Sequence, residues 1–114
     1  MAAKQVPQPV PKGLTGSGRL LWTSTVADFE LAEHELGILR EACRTATAID
    51  ALQAVVDRDG VMNESSQGLR AHPALVELRQ QRICFSRLVA ALSIPADESA
   101  PGRQKVPYGI KGAV

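Results

Sequence analysis

The sequence predicts an all-α fold, a short N-terminal helix packed on a long antiparallel helical hairpin, and three observations lead there. Helix punctuation is explicit: Gly60 closes one long apolar stretch, Pro73 opens the next, and Pro95 stops it. Between these marks apolar residues recur at steps of three and four, the period of a helix. Outside residues 14–95 the chain turns to proline, glycine and polar residues with little to bury. Residues 1–13 therefore read as a flexible basic arm, 14–95 as a helical oligomerisation core, and 96–114 as a flexible C-terminal tail. At 114 residues there is room for one domain at most.

The first helix is expected from about Thr15 or Ser17, either of which can cap its free amides, to about Phe29. Trp22, Val26 and Phe29, at steps of four and three, give it one apolar edge. The second runs from about Ala32 to Asp59, roughly 42 Å at 1.5 Å per residue. Its start is poorly capped, because Ala32 stands where Ser, Thr or Asp would serve, although Glu33 and Glu35 suit the positive end of the helix dipole. The Gly-, Asn- and Ser-rich stretch from Asp59 to His72 reads as an exposed loop, with too weak an alternation to assert a β-hairpin. The third helix opens at Pro73 and runs to about Leu92, with Leu75, Leu78, Phe85, Val89 and Leu92 as its inward stripe.

The core this builds is thin, with Trp22, Phe29 and Phe85 as its aromatic filler. Chains this small usually need a staple, a metal or a partner. From Ala46 to Val56 the second helix is apolar almost all the way round, and one hairpin partner cannot cover two faces. A neighbouring subunit can, so a homo-oligomer is expected.

Charges nearly cancel, 13 basic against 12 acidic, but they are unevenly placed. Residues 1–19 carry Lys4, Lys12 and Arg19 without an acid, and residues 101–114 carry Arg103, Lys105 and Lys111 without an acid. Residues 20–95 hold seven arginines against ten acids. Basic ends on an acidic middle suit a protein whose arms meet a polyanion, and do not suit a folded domain with a basic patch. No apolar run approaches a membrane span and no hydrophobic segment near the start suggests a signal peptide, so a cytosolic, non-membrane protein is expected.

The chemistry-bearing residues do not assemble into a catalytic set. His34 and His72 lack the paired spacing of a zinc site. His72, just before Pro73, reads as a polar cap or loop residue, and His34, among glutamates, as a solvated one. Counting back from the hairpin turn, Cys43 and Cys84 are offset by roughly 7 Å along the helices, beyond disulfide reach, so each is expected to be a small buried hydrophobe. The segment GLTGSG at 13–18 has the glycines of a phosphate loop but neither the Lys-Ser/Thr pair nor the preceding strand. No enzyme activity, cofactor or metal is therefore expected. If Asp59 and Pro73 lie level at the turn, Asp50 faces Arg82. The two are then either an ion pair, within or between subunits, or two separately solvated edge residues.

The order of parts resembles the P27 family of phage terminase small subunits. The resemblance rests on GLTGSGRLLWTSTVADFEL (13–31), LGILREACRTATAIDAL (36–52), AHPALVELRQQR (71–82) and RLVAALSIP (87–95). It implies a ring-forming, non-enzymatic packaging adaptor in the cytoplasm of an infected bacterial host. Such a protein binds double-stranded viral DNA and regulates the large terminase subunit, which holds the ATPase and nuclease. Only one short helix precedes the long one, so a complete three-helix DNA reader does not fit and phosphate contact is the expectation. The candidates are the tail residues Lys4, Lys12, Arg19, Arg103, Lys105 and Lys111, joined by Arg40 and Arg44 if they line the ring's inner wall. Two other classes stay open: a small helical interaction module, either inhibitor or scaffold, and a dimeric DNA-binding regulator.

Overall fold

A computed structural model describes residues 8–93 of the chain, and within them three helices and one small hairpin follow in order. Helix α1 spans Gly16–Asp28, α2 Glu33–Asp59 and α3 Pro73–Leu92. Strands β1 (Met62–Ser65) and β2 (Gly68–Ala71) fill the connection between α2 and α3.

Each boundary has a local cause. Helix α2 starts without an N-cap side chain, and Glu35 compensates from inside the first turn: the Ala32 N–H donates to its Oε1 at 2.7 Å. That is half of a capping box, since an alanine has no acceptor to return. At the other end Gly60 takes a positive φ and its N–H donates to the Val56 carbonyl at 2.7 Å. Helix α3 begins with His72 as N-cap: its Nδ1 accepts from the Ala74 N–H at 3.0 Å, and Pro73 occupies the first turn, where a missing N–H costs nothing.

The segment expected to be a loop is instead a β-hairpin, with Met62 opposite Ala71 and Ser65 opposite Gly68. Its turn residues Ser66 and Gln67 have negative φ, and the positive φ that closes such a turn falls on Gly68, at +107°. The Ser65 hydroxyl braces the turn, donating to the Gly68 carbonyl at 2.9 Å and accepting from the Gln67 N–H at 3.2 Å. Nearly every hairpin residue is exposed, which is why no inward–outward alternation marks it in the sequence.

The chain doubles back twice. Helix α1 lies antiparallel to the first two-thirds of α2, with Ser17 level with Asp50 and Trp22 in one cluster with Leu36 and Leu39. Helix α3 returns along α2, bringing Leu92 into that same cluster, which also holds Leu14 and Cys43. Leu39 and Cys43 are fully buried there, and Leu78 fills the hairpin farther along. The chain preceding α1 joins the core through Val10, and the Trp22 indole N–H donates to the Gln8 carbonyl at 3.3 Å. Beyond Asp50 the last turns of α2 have α3 as their packing partner, and Ala51 and Ala54 are exposed.

Candidate nucleic-acid interface

The glycine-rich start of α1 is a joint between helices. Asp50, on α2, aims its carboxylate at the first turn of α1: the Ser17 N–H donates to Oδ2 at 2.7 Å and the Ser17 hydroxyl to Oδ1 at 3.0 Å. The sequence led us to expect Thr15 or Ser17 to cap α1 with its own side chain, and neither does; the capping group comes from 33 residues away. Thr47 adds a second clasp, its hydroxyl accepting from the Thr15 N–H at 3.2 Å and donating to the Thr15 carbonyl at 3.1 Å.

Glycine is needed twice in this joint. Gly16 has φ +49°, and a Cβ there would stand 2.6 Å from Asp50 Oδ2. Gly18 is buried, and a Cβ on it would collide with the Thr47 hydroxyl and the Cys43 carbonyl oxygen. The free amides and positive dipole end that a phosphate would seek are thus held by the chain's own carboxylate.

This geometry corrects the expected Asp50–Arg82 pair within the chain. Asp50 faces α1, whereas Arg82 donates to Gln53 Oε1 at 2.8 Å. Asp50 lies on the α1 side of α2, where Ser17 takes both of its carboxylate oxygens. The expectation for the cysteines is corrected in one half. Cys43 is buried and its thiol pKa is pushed up to about 11 by desolvation, but Cys84 is exposed. Both are free.

The expected basic residues distribute as follows. Lys12, in the turn before α1, and Arg19, on α1, are both exposed. Arg44 is exposed and ion-paired with Glu41 at 2.8 Å, one turn back on α2. Arg40 is half-buried. The clasps at Thr15 and Ser17 hold the segment that carries Lys12 and Arg19 against α2 at Thr47 and Asp50. Lys4, Arg103, Lys105 and Lys111 lie outside the described residues.

Sequence reasoning gave less weight to α3, where Arg79 and Arg87 are exposed and make no ion pair among the described residues. They share the outward side of α3 with Val76 and Ile83, at 47% and 48% exposure. The signal was there in the spacing Val76, Gln80, Ile83, Arg87, a second stripe at steps of four and three on the side opposite Leu78 and Phe85. Leu20 on α1, Val61 beside the hairpin and Leu69 within it are exposed as well.

At the neck of the hairpin, Asp59 accepts from Arg58 at 2.6 Å and sits 2.9 Å from His72 Nε2. Because Nδ1 of His72 accepts the Ala74 N–H, the proton of the neutral ring belongs on Nε2, facing Asp59. These two contacts, that of Arg58 the larger, hold the Asp59 carboxyl well below the usual carboxylate range. His72 thus acts as cap and neck contact, whereas His34 is exposed.

Among the described residues no three His, Cys, Asp or Glu side chains are placed to share a metal ion, and no helix is long and apolar enough to cross a membrane. Comparison with family models, with curated proteins and with solved structures finds no match to this chain.

Proposed function

We propose that this chain is a terminase small subunit of the tailed-phage kind. In this reading it is a non-enzymatic adaptor that assembles into a ring, binds double-stranded viral DNA and regulates the large terminase subunit, in the cytoplasm of the infected bacterium. The terminase reading rests on the sequence resemblance of residues 13–95, and its assembly part is supported by a small core combined with apolar side chains left open on separate helices. Leu20 on α1 and Val76 and Ile83 on α3 are solvent-exposed in the single chain. A chain of this size gains most by covering such surface with further copies of itself.

DNA contact in this reading is electrostatic. Residues 20–95 are net acidic, so phosphate contacts fall to Lys12 and Arg19 at the start of α1 and to the basic residues toward both ends of the chain. One such arm binds weakly, but several around one duplex act at high effective concentration. Asp50 already fills the amide pocket of α1, which leaves side-chain cations as the phosphate ligands.

The test is fluorescence anisotropy with a labelled duplex over a salt series. Binding is expected at low salt, indifferent to sequence, and lost by about 200 mM, with a shallower salt slope once Lys4, Lys12, Arg103, Lys105 and Lys111 are replaced by Gln. Binding that persists at high salt and selects one short sequence would place base readout on the folded helices instead. A second reading, a helical module for one protein partner, is favoured by the exposed Val61, Met62 and Leu69 around the hairpin, which phosphate contact does not use. A monomer that ignores duplex DNA at low salt would select it.

A further inference from the structure

We infer that residues 8–11 are a built-in ligand, seated in a slot over Trp22 that also takes an extended, proline-bearing segment of a protein partner. The inference stands apart from the assembly and the DNA contact proposed above.

The segment reaches the slot by doubling back. Lys12 and Gly13 form a turn, with Gly13 at φ +88°, and the chain before them returns beside α1. Gln8 thereby meets Trp22 in the middle of that helix, and the indole N–H donates to the Gln8 carbonyl at 3.3 Å. Val10 packs against the core cluster that contains Trp22, Leu14 and Leu92, while Pro9 is exposed.

The chemistry of the occupant follows from its residues. Pro9 and Pro11 fix their own φ at about −65° and hold the residues before them, Gln8 and Val10, in extended conformations. The segment is therefore extended before it docks, and seating it costs little chain entropy. Trp22 is 3% exposed, so its indole N–H requires an acceptor from whatever covers it. The slot thus selects two features: a carbonyl for the indole, and an apolar side chain two residues later. Prolines keep both on one rigid run. An aromatic side chain that receives such a run is a recurrent way for one protein to hold a segment of another.

The segment is held lightly. Among the described residues, no backbone–backbone hydrogen bond ties residues 8–14 to the helices, and residues 8–11 are bonded through the Trp22 contact alone. Gln8, Val10 and Pro11 are only partly buried. The turn has room to open, since nothing lies within 4 Å of where a Gly13 Cβ would stand. One apolar anchor, one hydrogen bond and an open hinge describe a segment that leaves while α1, α2 and α3 stay packed.

Trp22 is the sole tryptophan of the chain, so its fluorescence reads the slot directly. In the full chain, Val10→Asp is expected to release the segment: emission shifts to the red and iodide quenching rises, while helix content by circular dichroism is kept. Gly13→Pro forbids the positive φ of the turn without touching the slot, and is expected to do the same. The probe is a capped synthetic peptide of residues 8–14, QPVPKGL. It is expected to return Val10→Asp to the blue, protected emission of wild type, whereas the peptide with Val10→Asp does not. By anisotropy of a labelled copy, the peptide is expected to bind wild type at least roughly tenfold more weakly than the variant, because the closed segment leaves few slots open.

Unchanged Trp22 fluorescence in both variants, or a released slot that millimolar peptide does not refill, overturns the inference. Loss of helix content in both variants does so too, since the segment then belongs to the core; if Val10→Asp alone loses it, Gly13→Pro decides. Wild-type emission that moves to the red on dilution would mean that a second copy supplies the segment, which overturns a slot closed by its own chain.

Discussion

Replacing Gly18 by alanine tests the joint between α1 and α2 with one methyl group. The added Cβ would overlap the Thr47 hydroxyl and the Cys43 carbonyl oxygen and stand 3.2 Å from the carbonyl carbon. Thr47 can rotate away only by giving up its two bonds to Thr15, and the Cys43 carbonyl is fixed in the backbone of α2. Relief requires α1 to lift by about 1 Å, which stretches the Ser17–Asp50 bonds and opens contacts around Trp22.

Overpacking of this kind costs about 1–3 kcal/mol. Loss of the Asp50 cap adds about 1 kcal/mol. The better helix propensity of alanine returns about 1 kcal/mol. The net is a destabilisation of roughly 1–3 kcal/mol, or a Tm lower by roughly 5–20 °C for a domain of this size. Gly37→Ala is the matched control: it also lies within a helix, but nothing stands within 4 Å of its added Cβ, so it is expected to raise stability by about 0.5–1 kcal/mol. Thermal unfolding followed by circular dichroism, at one protein concentration, compares the two. A Gly18→Ala protein that melts at or above the wild type, with Gly37→Ala behaving as expected, would refute the close approach of α1 to α2.

Three further expectations follow from the same contacts. Asp50→Ala and Arg82→Ala hold different partners, so in denaturant titrations their effects are expected to add within about 0.5 kcal/mol. A larger coupling between them would mean that the two meet after all, across a subunit contact. Asp59 has a folded-state pKa lowered by Arg58 and His72, so its contribution to stability is full above its unfolded value of about 4 and fades as pH falls below it. The stability gap between wild type and Asp59→Asn is expected to narrow as pH falls below about 4; a gap that widens there contradicts the assignment. Finally, a thiol reagent near neutral pH is expected to label Cys84 rapidly in the folded protein and Cys43 only after denaturation, with equal rates excluding the burial of Cys43.

Helix boundaries were legible because their causes are local. Pro73 and Gly60 act on their own turns, so α3 begins, and α2 ends, where those residues place them. The cap of α1 was not legible, because its acceptor is Asp50, whose proximity exists only once α1 has folded back on α2. The same long-range event gives GLTGSG its meaning: its glycines permit a helix contact, and a phosphate loop would use them in another way. The β-hairpin escaped because it buries almost nothing, so neither strand shows a period of two. Arg82 meets Gln53 and misses Asp50 because Asp50 is turned to Ser17 of α1, a long-range contact that the sequence does not announce. For the candidate interface, residue type was readable and neighbourhood was not: Arg44 looked free in the sequence and is paired with Glu41 in the fold, whereas Arg79 and Arg87 emerge as exposed beside Val76 and Ile83.

Sedimentation velocity of the full chain with a fluorescent duplex tests the central claim most directly, because one boundary reports assembly and DNA binding together. The account predicts a single species of many 12.2 kDa subunits that carries the duplex with it at low salt and releases it by about 200 mM salt while remaining assembled. A protein that sediments as a monomer and leaves the duplex at its free position at every salt concentration would contradict it.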